Sequence, residues 1–230
     1  ILDQCPDGGR VGVVELNGLP GGIATPLIAG LGGMKLEDAS GVFADLRDPA
    51  DKVEIKLAAR ASEIAAAALE AGIAAHDGGS GAITAAIESA ARLAGAEDNL
   101  IHLAPDLAKS ARLERIEGDA VMGARFAVQA SVAYKGHWVR DLRSVCANGP
   151  APEDWQAAEQ KFDAALTTGM MPADAQSWLI EGNIGSRPLS VLGSKDAMDD
   201  RALRAGTVRV ISLQFELAGG PWLAGRSVVL

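Results

Sequence analysis

The segment from residue 120 to residue 146 constrains the fold of this chain more than any other. Residues 120–135 and 137–146 are two long runs carrying Val, Ser and aromatic residues, and they hinge at Lys135-Gly136. Two such runs about a glycine turn predict a long antiparallel hairpin. Helical signals stand on both sides of it. At Asp48-Pro49-Ala50-Asp51, Asp48 has the chemistry of an N-cap and Pro49 that of a first helical residue, while Asp51 favours the positive helix end. The helix expected there runs to about Ala75, with Val53, Leu57, Ile64 and Leu69 as apolar face. Residues 77–81 (Asp-Gly-Gly-Ser-Gly) read as a flexible break, and a second helix follows from about Ala82 to near Gly95. A strand is expected at 99–104. A third helix over 152–168 has Trp155, Phe162 and Leu166 at helical spacing and Gly169 as its natural stop.

The tail is strand-like at 178–180, 207–217 and 226–230. At the other end, 10–16 reads as a strand and 19–31 as a helix led by Pro20. Helices and antiparallel strands are thus segregated rather than alternating, which predicts an α+β fold. The helix-then-hairpin rhythm occurs twice within the region 50–230.

Composition narrows the class of function. The 230 residues are 48% hydrophobic and 22% charged, which excludes a disordered chain. A net charge of −9 argues against nucleic acid as a partner, because an acidic surface repels phosphates. No apolar run reaches the length of a membrane span. Cys5 and Cys146 are too few for a disulfide scaffold and fit two thiols in a reducing cytoplasm. Residues 185–195 (GSRPLSVLGSK) fail as a phosphate loop, since Ser194 separates the closing glycine from Lys195. The cluster Asp196, Asp199, Asp200 lacks the alternating oxygen ligands of a calcium loop and reads as a solvated face.

Three segments together resemble the creatinase/aminopeptidase P/prolidase superfamily. Leu46-Arg47 and Glu54-Ile55 look like its interdomain linker. Residues 131–144 (SVAYKGHWVRDLRS) are similar to its hairpin, with Tyr134 and Gly136 at the turn. Residues 206–214 and 226–230 look like its closing strands. The resemblance implies a pita-bread domain over 48–230, preceded in 1–47 by the end of a creatinase-type amino-terminal αβ domain. It also implies upstream sequence before Ile1, and either a homodimer or an assembly with a chain supplying that missing part.

Carried over position by position, the five metal ligands of the family fall on Gln129, Arg140, Gly182, Gln214 and, least firmly in register, Gly225. An amide and a guanidinium in place of carboxylates invert the electrostatics that two divalent cations need. The resemblance therefore implies no metal and no cofactor here. In a strand, residues of like parity share a face. If the family's inward face is kept, Gln129, Ser131, Trp138 and Arg140 point into the pocket, while His137 and Asp141 point away. With Asn183 and Gln214 these residues form the expected substrate-binding set. Arg offers a two-pronged donor and Gln adds further donors, which suits a carboxylate or another planar anion. The same residues can equally fill an emptied cavity by bonding one another. Glu181 and Glu216 are the candidate catalytic carboxylates, each with an alternative as a surface or strand-end residue. His102, in an apolar strand, reads as a core histidine.

The function expected is that of a cytoplasmic, metal-independent hydrolase-like protein. It would act on or bind a small carboxylate- or guanidino-containing C–N compound, as the creatinase and ectoine hydrolase members of the family do. The alternative is a non-catalytic pseudo-peptidase that binds a small molecule or a partner chain.

Overall fold

The computed structural model describes residues 9–14, 16–31, 33–40, 42, 46, 51–181 and 208–229, without the side chains of residues 17, 179–181 and 229. The chain divides into two compact units, Ile1–Asp48 and Pro49–Leu230. In the first, β1 (Arg10–Val13) and β2 (Lys35–Asp38) pair in parallel, and α1 (Gly21–Gly30) makes the crossover that a parallel pair requires. Arg10 and Glu37 form an ion pair across the two strands.

The second unit begins with α2 (Lys52–Ala74). Its N-cap is Asp51 rather than Asp48. The Asp51 carboxylate accepts from the amides of Val53 at 2.7 Å and Glu54 at 3.0 Å. Both bonds hold its carboxyl below the ordinary carboxylate range. Asp48 and Pro49 lie outside the described residues. Val53 is exposed and does not join the apolar face, because it stands in the first turn, before the helix reaches the sheet. The face that is buried consists of Ala58, Ala61, Ile64, Ala65, Ala68, Leu69 and Gly72.

The expected flexible break is also shorter and more ordered. His76–Gly78 form one 3-10 turn, and α3 (Gly79–Leu93) starts at once. The start is fixed from a distance. Asp119 accepts from the Gly81 amide at 2.9 Å, and the Ser80 hydroxyl accepts from the Ala120 amide at 2.8 Å. These bonds hold residues 119–120 against the helix, and the strand that follows begins only at Arg125.

Among the described residues, six strands then form one antiparallel sheet: β3 (Asp98–Ala104), β4 (Arg125–Tyr134), β5 (His137–Cys146), β6 (Ser177–Glu181), β7 (Val208–Phe215) and β8 (Trp222–Val229). Their spatial order is β3-β4-β5-β8-β7-β6. The β4–β5 hairpin is paired from Arg125↔Cys146 to Tyr134↔His137. Lys135 and Gly136, with φ of 51° and 81°, make the two-residue turn whose twist suits a hairpin.

Helices cover one face of this sheet. Ile64, Leu69, Ile83 and Ile87 pack on Ile101, Leu103, Phe126, Val128, Val132 and Val139. After the hairpin, α4 (Glu153–Thr168) ends at Gly169 in the left-handed conformation, as its sequence leads one to expect. Its Trp155 and Phe162 lie in the core with Ile211, Leu213, Phe215 and Trp222. Burying side chains of this size stabilises by about 1.5–3 kcal/mol each. Since these strand residues share one parity, the alternate residues form the opposite face, where Ala104, Ala127, Leu142 and Leu223 still belong to the same core as Trp155 and Phe162.

Between the half-sheets β3-β4-β5 and β8-β7-β6 the ladder is narrow. Only Leu142↔Gly225 and Arg143↔Ala224 pair there. On one side of this centre the Ser144 hydroxyl donates to the Leu223 carbonyl at 2.9 Å and accepts from its amide at 2.8 Å. On the other, Ser227 does the same for Arg140. Side-chain hydroxyls thus complete a seam that backbone groups leave open.

Candidate functional site

The register builds the site row by row. One row across this opposite face runs His102, Gln129, Leu142, Gly225, Ser212. The neighbouring row carries Ser131 opposite Arg140. Trp138 lies one row nearer the hairpin turn, opposite Ala133. Gln214 lies on the other half-sheet, opposite Leu223.

The first group is densely bonded. Arg140 is 1% exposed, and its Nε donates to the Ser131 hydroxyl at 3.3 Å. Gln129, 2% exposed, places its Nε2 3.3 Å from Nδ1 of His102. His102 is half-buried, not a closed core residue: Ile101 and Leu103 take the apolar face and turn it to the other side. Burial holds its ring below the ordinary value of 6.5, and the charges of Arg140 and Arg115 add to that effect. His102 is therefore a neutral imidazole at physiological pH.

Arg115 reaches the site through one isolated bridge. Leu103 pairs with Glu114, with amide-to-carbonyl bonds of 2.9 and 3.0 Å in both directions. The same antiparallel register sets Arg115 beside His102, at the open edge of the row. Nothing in the sequence around Arg115 marks this contact, because a single bridge within a loop leaves no periodic signal. For His102, expected as a core histidine, the alternation with Ile101 and Leu103 is the signal that turns it to the other face.

Of the other expected site residues, Glu216 is exposed just past the end of β7 and accepts from Gln214 Nε2 at 3.1 Å. Glu181 has its backbone in β6, opposite Val210, and its side chain lies outside the description. Asn183 lies outside the described residues, as do Gly182, residues 185–195 and the cluster at Asp196–Asp200. His137 is half-buried at the hairpin turn. Asp141 faces the helices and is buried there rather than solvated.

Several solved structures share this fold. A prolidase from Pyrococcus furiosus superposes with a TM-score of 0.63 at 16% identity, over 96% of this chain and 73% of the other. An X-Pro aminopeptidase from Thermotoga maritima gives 0.61 at 15% identity, over 96% and 70%. An aminopeptidase P from Escherichia coli gives 0.63 at 12% identity, over 96% and 65%. The chain has the pita-bread fold. No protein-family model and no curated protein matches the sequence, so the likeness is one of structure.

A divalent-metal pair does not fit the donors described on this pita-bread sheet. The described residues hold no group of three or more His, Cys, Asp and Glu able to ligate a metal. The buried polar side chains on this face include the Gln129 and Gln214 amides, the Ser131 and Ser212 hydroxyls and the Arg140 guanidinium, which repels cations. These groups instead present hydrogen-bond donors and positive charge beside a neutral imidazole. Such a set can hold an anion and accept or return a proton.

Proposed function

We propose that the face carrying His102, Gln129 and Arg140 binds a small C–N compound bearing a carboxylate and hydrolyses its C–N bond without a metal ion. The observation that carries this reading is the His102–Gln129 pair beside Arg140. The positive charge of Arg140 and Arg115 favours a carboxylate over a guanidino group, which the same charges would repel. In the proposed reaction a water adds to the acyl carbon. With the Gln129 amide turned so that its Oε1 accepts from Nδ1–H, His102 takes the water proton on Nε2 and returns it to the departing nitrogen, giving an acid and an amine. Donors at Gln129 and Ser131 stabilise the negative oxygen formed in between. Glu181 and Glu216 are the carboxylates proposed to assist the water, and Trp138, Asn183 and Gln214 to bound the substrate.

Purified protein incubated with N-acylated amino acids and dipeptides tests this. Amine release that survives EDTA and is lost in His102→Gln is the expected result. Release from none of these compounds, or only after Mn²⁺ or Zn²⁺ is added, would overturn it. Binding without turnover would favour the second reading, a pseudo-peptidase that holds a small molecule.

A further inference from the structure

We propose that Arg115, rather than Arg140, is the residue that reads the carboxylate of the ligand. This rests on the binding reading above and sharpens which side chain makes it selective. The two guanidiniums differ in surroundings. Arg140 is almost wholly enclosed, tied through Nε to Ser131 and through its backbone to Ser227. It supplies field but little reachable surface. Arg115 is exposed, and among the described residues it has no hydrogen bond or ion pair. The Leu103–Glu114 bridge nevertheless fixes its backbone, and the register seats it next to His102. A side chain with an anchored base and an uncommitted fork loses little on meeting a carboxylate bidentately.

The position also sets the geometry of the ligand. Arg115 and Gln129 flank His102 on either side, one strand spacing of about 4.8 Å away in each direction. A ligand whose carboxylate meets Arg115 therefore lays the atoms next to it over His102 and Gln129. The class that fits is an N-acyl amino acid or a short peptide, with its carboxylate one to three bonds from the C–N bond.

The test uses N-acetylglycine and its uncharged counterpart N-acetylglycinamide as probes. The readout is the ring proton of His102 in NMR titrations, assigned among the three histidines by its loss in His102→Gln. In the wild type N-acetylglycine should shift this signal at concentrations where the amide does not. Arg115→Gln should weaken that binding about tenfold, as expected for loss of a hydrogen bond to a charged group, and should remove the preference over the amide. Arg115→Lys should restore part of it. Equal binding of N-acetylglycine by wild type and Arg115→Gln would overturn the assignment to Arg115 while leaving the site in place. Absence of any His102 response in the wild type would overturn the binding reading itself, and this inference with it.

Discussion

Ser227 Oγ accepts a hydrogen bond from the Arg140 amide at 3.1 Å and donates one to the Arg140 carbonyl at 3.2 Å. One hydroxyl thereby satisfies both backbone groups of Arg140, the most buried charged residue among those described. Ser144 makes the matching pair of bonds to Leu223 on the other side of Leu142↔Gly225. The two half-sheets meet through these hydroxyls and two ladder pairs, so the site on β4 and β5 depends on the seam behind it.

Removing either hydroxyl leaves a buried N–H and C=O without partners. Ser227→Ala and Ser144→Ala should each destabilise by about 1–3 kcal/mol, measured by urea unfolding. Amide exchange should quicken at Arg140 in the first variant and at Leu223 in the second. Ser227→Ala should also weaken N-acetylglycine binding, whereas Ser144→Ala should leave it near the wild-type value. Equal effects of the two on binding would mean that the seam acts on the sheet as a whole and not on Arg140.

His102 makes stability depend on pH in a definite direction. Its folded pKa lies below the ordinary 6.5 because of burial first, then Arg140 and Arg115. Between that lowered value and 6.5 the unfolded chain binds more protons than the folded one, so stability rises with pH through the window. Below it the destabilisation is complete. Comparing unfolding free energies of wild type and His102→Gln from pH 5 to 7 isolates this slope, which the variant should lack. Arg115→Gln should move the NMR titration of His102 upward only partly, since burial is the larger cause and remains. A variant curve parallel to that of the wild type would contradict the neutral-imidazole assignment.

Asp141 tilts stability the other way. It faces the helices with its side chain 5% exposed, 3.5 Å from Arg143, and one of its oxygens has no partner. Burial pushes its carboxyl above 3.8, against the pull of Arg143 and Arg226. The folded state then holds the proton to higher pH than the unfolded state, so stability present in acid is lost as pH rises through the folded value. Asp141→Asn keeps the shape and removes the titration. The gap in stability between wild type and variant should therefore shift in favour of the variant between pH 4 and pH 7. Arg143 keeps its ion pair with Glu70 in either case, which limits the cost of the change.

Much of this arrangement was legible in the residues themselves. The hairpin turn at Lys135-Gly136, the stop at Gly169 and the α+β order follow from local chemistry, where a few neighbouring residues decide the outcome. Parity within the hairpin put Gln129, Ser131 and Arg140 on one face. What stayed hidden was set by partners distant in sequence. Asp119 fixes the start of α3 from 38 residues away, and Glu114 brings Arg115 to His102 through a single bridge. The shift of the α2 cap from Asp48 to Asp51 has another cause. Both aspartates have cap chemistry, and only the turn that closes on Val53 and Glu54 decides between them.

Gly72 tests the packing that holds the helical layer to this sheet. A Cβ built there would lie 2.4 Å from Ile87 Cγ1 and 2.7 Å from Ile87 Cδ1. Ile87 is fully buried on α3, so it has no solvent to move into. Helix propensity alone would make Gly72→Ala stabilising by about 1 kcal/mol. Overpacking in a closed core works against that and typically costs 1–3 kcal/mol or about that much. The contact is too short for propensity to win, and Gly72→Ala should be destabilising overall. Ile87→Val alone should cost about 0.5–1.5 kcal/mol. Combined with Gly72→Ala it should cost less than the sum, because the shorter side chain frees the space the new methyl takes. A denaturant-unfolding double-mutant cycle measures that coupling. Gly72→Ala more stable than wild type, with no coupling to Ile87→Val, would show that α2 and α3 stand further apart than described.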